Sequence, residues 1–183
     1  MTADELLANP VANMRTELVR GRLMVREPAG WSHGDIAARI LVALSTHLRT
    51  EQRDNDWTNP RGRVLAAETG FTLQRNPDTV RAPDVAYVRW DRCPQQPFAG
   101  FAEFAPDLAV EVQSPSQRAG TMLAKVADWL EAGTQLVWLV DPLRRTAHVY
   151  RADGSQSALA ARESLSGEDV LPGFALPLDE LFD

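Results

Sequence analysis

The sequence predicts one domain built on a mixed β-sheet flanked by helices, of α/β or α+β type. Three observations carry this. The chain has 183 residues with 44% hydrophobic content, enough for one packed core. Its patterning runs strands, long helix, strands, helix, strands. The segment from Pro106 to Val140 reads strand, helix, strand, which calls for parallel strands joined by a right-handed crossover.

Taken in order, "TELVRGRLMVRE" alternates on both sides of Arg20-Gly21 and reads as a tight hairpin. From Ser32, a plausible N-cap, Ile36, Ile40, Leu41, Leu44 and Leu48 recur at helical spacing until "RDNDW" breaks the pattern. "GRVLAAETGFTLQ" offers two short strands around Gly70, and "VRAPDVAYVRW" another, with Pro83 where an edge or strand start tolerates it. Pro94, Pro97 and Gly100 mark a loop. After the strand "PDLAVEVQ", Ser116 is placed to cap a helix whose apolar face is Met122, Leu123, Val126, Ala127, Trp129 and Leu130, ending at Gly133. "QLVWLVD" is a nearly all-apolar strand stopped by Asp141-Pro142, and "TAHVYRA" is its antiparallel partner. The tail "LPGFALPLDELF" reads as a turn and a short helix. Residues 1–183 are expected as a single domain, with 1–14 an N-terminal extension.

Nineteen Lys and Arg against twenty-five Asp and Glu leave a formal charge of −6, which argues against coating nucleic acid by bulk electrostatics. Polyanion contacts must then be local. Fourteen arginines between residues 15 and 118 could form a one-sided track. A single cysteine, Cys93, excludes an internal disulfide and has no zinc-ligand spacing around it. With no apolar leader or membrane span, the cytoplasm is the expected location.

Within "PDLAVEVQSPS", pleating sends Leu108, Val110 and Val112 to one face and Ala109, Glu111 and Gln113 to the other. Glu111 either faces water, as on any half-exposed sheet, or meets other carboxylates. Asp84, in "APDVAYV", is a second acid at the start of an apolar strand, twenty-seven residues earlier. On neighbouring strands the two would repel unless a cation or proton intervened. Hard oxygen ligands favour magnesium or manganese over zinc. The alternative is two solvated strand-end acids.

Taken in order, "ELVRGRL", "SHGDIAARIL", "APDVAYV", "PDLAVEVQSPS", "KVADWLEAG" and "VWLVDPLRRTAHVY" resemble the putative restriction endonuclease family, a branch of the PD-(D/E)XK nuclease superfamily. The resemblance covers residues 15 to 183 and implies a restriction-endonuclease-like fold with a metal-dependent phosphodiesterase centre. Asp84 then matches the acid of the PD half-motif and Glu111 that of the (D/E)XK half. By the same likeness the Val112 carbonyl is a further metal ligand. Gln113 stands where the superfamily lysine belongs and is expected to orient the attacking water or a phosphate oxygen, since an amide carries no charge. Lys125 matches the position from which relatives supply that lysine, although a helix lysine can equally be a solvated one. Thr121 departs from the acid that the family carries four residues earlier.

Arg118 is a reserve phosphate ligand. Glu17 matches the early glutamate of the family hairpin, either completing an acidic cluster or facing water. His33 matches the histidine before the long helix, either near the phosphate or bonded to backbone. Glu68 is a weaker candidate, and His47 and His148 are expected to be structural. The implied reaction is DNA phosphodiester hydrolysis with Mg²⁺ or Mn²⁺, with a homodimer a plausible assembly. Two other readings are a nuclease-like fold that binds nucleic acid or a partner without cutting, and a hydrolase of other phosphoesters.

Overall fold

The chain builds two main sheets and passes between them three times, the last at Pro83. The structure, a computed structural model, describes residues 1–12, 14–53, 62–96, 98–115 and 117–183. Its elements are α1 (Ala3–Ala8), β1 (Arg15–Val19), β2 (Arg22–Arg26), α2 (Trp31–Arg53), β3 (Gly62–Ala66), β4 (Phe71–Gln74), β5 (Thr79–Arg81) and β6 (Val85–Arg89). They continue with β7 (Leu108–Val112), α3 (Ala119–Glu131), β8 (Leu136–Asp141), β9 (Thr146–Arg151), β10 (Gln156–Leu159), β11 (Ser164–Ser166), β12 (Ala175–Pro177) and α4 (Leu178–Phe182).

Four strands form one sheet in the order β2-β1-β5-β4, and six form the central sheet in the order β10-β9-β8-β7-β6-β3. The hairpin β1–β2 turns at Arg20 and Gly21, whose φ values of 48° and 75° are the paired left-handed residues a two-residue hairpin turn requires. In the central sheet β7 and β8 run parallel, joined by α3, and every other pairing is antiparallel. The sheet is therefore mixed, as expected.

"VRAPDVAYVRW" reads as one strand in sequence but forms two, in different sheets. Proline cannot donate to a ladder and disfavours helical backbone before it, so the pairing of β5 ends there and the chain crosses to the central sheet. Asp84 enters β6 at this crossing. The helix α2 begins at Trp31, so Ser32 lies inside its first turn and is not the cap; the Gly34 amide donates to the Gly30 carbonyl instead. Arg118 holds the N-cap position of α3, without a side-chain cap bond. Ser116, Pro97, Arg61 and the segment 54–57 of "RDNDW" fall outside the described residues.

The pleat sorts the core onto both faces of the central sheet. Leu108, Val110, Val112 and Val85 pack under Ile36, Ile40 and Leu44 of α2. Ala109, Ala86 and Val88 pack under Val126 and Trp129 of α3, with Phe71. Met122 is buried, whereas Leu123 and Ala127, expected on the apolar face, are exposed. Residues 1–14 contribute α1, whose Ala3 and Leu6 are buried with Leu18 and Val80 and whose first amide donates to Asp78 at 2.8 Å. Among the described residues no helix is long and apolar enough to cross a membrane.

Candidate active site

Strand alternation and the crossover helix bring the predicted residues together. Asp84 shares a face with Ala86 and Val88, and Glu111 shares the same face with Ala109, because each lies two residues along its own strand. Asp84 brackets Glu111: its amide donates to the Val110 carbonyl at 3.0 Å, and its carboxylate accepts from the Val112 amide at 2.7 Å. The acids therefore sit on the same side of adjacent strands. They line a cavity of about 580 Å³ together with Glu17, His33, Glu68 and Lys125.

Lys125 reaches this cavity from the second turn of α3. It is the only lysine beside eighteen arginines, and it is 5% exposed. Its Nζ donates to Glu111 Oε2 at 2.5 Å and lies 3.3 Å from Glu17 Oε1. The solvated-lysine alternative is thereby excluded. Trp129, one helical turn further on and hence on the same helix face, donates its indole N–H to Glu111 Oε1 at 3.0 Å. Both oxygens of Glu111 have N–H partners, the pattern that suits an ionised carboxylate.

Burial pushes the Glu111 carboxyl up from its ordinary value, and the charges of Asp84 and Glu17 add to that, against the pull of Lys125. Burial also disfavours the Lys125 ammonium, but Glu111 and Glu17 outweigh it and raise its pKa. Glu17, likewise buried, would be pushed up by desolvation. Lys125, Arg81 and Arg26 overcome this and hold it at about 2.

Glu17 does not face water. Its Oε2 accepts from Arg26 Nε at 2.9 Å and Arg81 Nη1 at 2.8 Å, and Arg81 Nε donates to Asp128 at 2.9 Å. Arg26, Arg81, Asp128 and Trp129 are members of the cluster that sequence reasoning missed. Asp128 and Trp129 were within reach of it, standing three and four residues after Lys125. His33 Nε2 lies 3.1 Å from Asp84 Oδ2, not on a backbone group. Since a carboxylate only accepts, Nε2 carries the proton, and Nδ1 is buried without a partner among the described residues.

Other candidates stand elsewhere. Gln113 follows the end of β7, half-buried and outside the cavity lining, its amide donating to Val140 at 2.8 Å. Gln117 lines the cavity instead. Arg118 and Thr121 are exposed and away from the lining. Glu68 lines the rim and pairs with Arg15 at 2.9 Å. His47 meets the Pro172 carbonyl and the edge of Phe174, and His148 stacks on Tyr150, both remote from the cavity. Of the fourteen arginines of the proposed track, Arg26 and Arg81 pair with Glu17, Arg75 with Asp78 and Glu103, and Arg89 and Arg92 with Asp107.

The donor set suits a hard divalent cation. Five carboxylates and three cations line the cavity, an excess of two negative charges. Among the described residues no group of three or more His, Cys, Asp and Glu stands at ligating spacing. That excludes a protein cage of the zinc kind. It does not exclude magnesium, which is commonly held by one or two carboxylates with water and phosphate completing the shell. Asp84 and Glu111 are the carboxylates that would hold such a cation, with Lys125 beside them.

A mixed sheet covered on both faces, with its crossover helix beside a strand-end cavity, is a restriction-endonuclease-like fold. The chain belongs to the Uma2 family, described as "Putative restriction endonuclease", whose model matches residues 3–179. The fold is similar to a crystal structure from Anabaena variabilis described as a "putative nuclease belonging to DUF820", with a TM-score of 0.84 at 22% identity, over 100% of this chain and 97% of that one. No curated protein matches the sequence.

Proposed function

We propose that this chain is a metal-dependent endonuclease that hydrolyses DNA phosphodiester bonds, with Mg²⁺ or Mn²⁺ held by Asp84, Glu111 and the Val112 carbonyl. The observation that carries the reading is the contact of a buried Lys125 ammonium with Glu111, on the face that Asp84 shares, inside one cavity. The bound ion supplies a Lewis acid to the phosphoryl oxygen and a water of lowered pKa.

The chain's own groups do the rest. A phosphodiester entering a cavity with two excess negative charges is repelled, which favours binding together with a divalent cation. The Val112 amide and His33 hold Asp84, and Trp129 holds Glu111, which restricts both carboxylates to one orientation before substrate arrives. Lys125 offers a compact ammonium beside the phosphate, where removing one charge-stabilising donor costs on the order of 10²–10³ in rate. Glu17, anchored by two guanidinium groups, keeps that ammonium in place.

A second reading is favoured by one observation: both Glu111 oxygens already hold N–H donors, so that carboxylate is satisfied without a metal. On that reading the fold binds nucleic acid or a partner without cutting. Plasmid incubated with Mg²⁺ or Mn²⁺, beside Glu111→Gln and Lys125→Met, separates the two. Cutting by the native chain alone supports the nuclease. Binding without cutting in either metal supports the second reading, and cleavage of small phosphodiesters but not DNA would redirect the substrate.

A further inference from the structure

We propose that the cavity takes an unpaired DNA strand, with one base seated against the apolar residues of its lining, in preference to intact duplex. This rests on the nuclease reading above and names its substrate form. The cavity is mixed in chemistry. Its lining joins Asp84, Glu111 and Lys125 with the apolar Leu7, Pro10, Met14, Val25, Pro28 and Phe101. Met14 is 55% exposed and Val25 51%, although each has apolar surface that water disfavours. A charged phosphate backbone gains nothing from such surface. The face of a nucleobase does.

Trp31 adds a second, independent feature. It is 90% exposed, the most exposed large hydrophobic side chain among the described residues, and it stands between Gly30 and His33, both of which line the cavity. Trp31 is not itself in the lining, but an indole exposed to water and next in the chain to Gly30 offers a base a stacking platform. Unpaired strands are bound by such stacking combined with a few local charges. Duplex is bound chiefly by neutralising successive phosphates along a basic face. Here the net charge is −6, and Arg26, Arg75, Arg81, Arg89 and Arg92 are tied to the chain's own carboxylates. The features that duplex binding needs are weak, and those that a stacked single strand needs are at the site itself.

The test uses the purified full chain and three fluorescently labelled oligodeoxynucleotides of one sequence: single-stranded, blunt duplex, and duplex with a single-stranded overhang. Binding is read by anisotropy with the Glu111→Gln variant, and cleavage with the native chain in Mg²⁺ and Mn²⁺. The expected result is single strand and overhang bound at least tenfold more tightly than blunt duplex, with cuts in the unpaired segment. Trp31→Ala, at an exposed position that does not challenge folding, should weaken single-strand binding about tenfold, the scale of one lost base–aromatic stack, and leave duplex binding unchanged. Equal or tighter binding of blunt duplex, or a Trp31→Ala variant that binds single strand like the native chain, overturns the proposal while cleavage keeps the nuclease reading standing. Absence of binding and cutting with all three overturns both.

Discussion

Replacing Lys125 with methionine isolates the contact on which the site rests. The substitution keeps a long unbranched stem on α3 and deletes the ammonium that touches Glu111 and Glu17. Glu111 is 1% exposed, so its charge cannot turn to solvent. Removing one partner of such a buried pair costs about 3–5 kcal/mol, because the other charge is left uncompensated. For a chain of this length that corresponds to a fall in Tm of roughly 6–20 °C. The loss should depend on pH. Without Lys125 the Glu111 carboxyl lies further above its unfolded value, so the folded state binds the extra proton, and the variant recovers stability as pH falls toward the ordinary carboxyl range. The assay is urea unfolding followed by tryptophan fluorescence at pH 5 and pH 8, with the m-value checked for constancy. Adding Glu111→Gln to Lys125→Met should restore part of the loss, giving a coupling above about 1 kcal/mol. A penalty below about 1 kcal/mol at both pH values, the range of an exposed pair, would refute the claim that this ion pair is buried and unrelieved.

The remaining predictions concern the groups around it. Glu17, held at about 2 against an ordinary 4.5, contributes about 3 kcal/mol that is fully present above pH 4.5 and is lost as pH falls toward 2. Unfolding measured at pH 6 and pH 3 should show a larger acid loss for the native chain than for Glu17→Gln. Trp129→Phe retains an aromatic ring in the core but removes the N–H on Glu111, and should cost about 1.5–3 kcal/mol, as for a hydrogen bond to a charged group; titration of activity with Mg²⁺ should need several-fold more metal. Asp84→Asn keeps a carbonyl to accept from the Val112 amide, so circular dichroism and Tm should change little. Plasmid cleavage by that variant should fall by about 10²-fold or more, as for loss of one charge-stabilising group; unchanged cutting removes Asp84 from the site.

The parity of the two strands was already legible in the residue order. In "PDLAVEVQ" the short apolar residues alternate with Ala109 and Glu111, and that alternation alone assigns Glu111 to the face opposite Val110, because the pleat has a period of two. The strand-helix-strand pattern around it likewise dictated a parallel pair, since a helix of that length must cross over to return. The hairpin at Arg20-Gly21 was equally local. The break at Pro83 was less so, for a proline marks a place where pairing stops without saying which sheet the chain joins next.

Sequence order by itself determined which side chains could share a face: Asp84 with Ala86, Glu111 with Ala109, Lys125 with Trp129. Only the tertiary structure decided which faces meet. Glu17, Arg26 and Arg81 come from strands of one sheet, Glu111 from the other and Asp128 from the crossover helix, and they converge because the chain changes sheets beside the cavity. Spacing carries no information about such convergence, since long-range packing sets it through the burial of residues distant in the chain. The same packing excludes water from Glu111 and so makes a lysine there a necessity, where an exposed glutamate would have needed none.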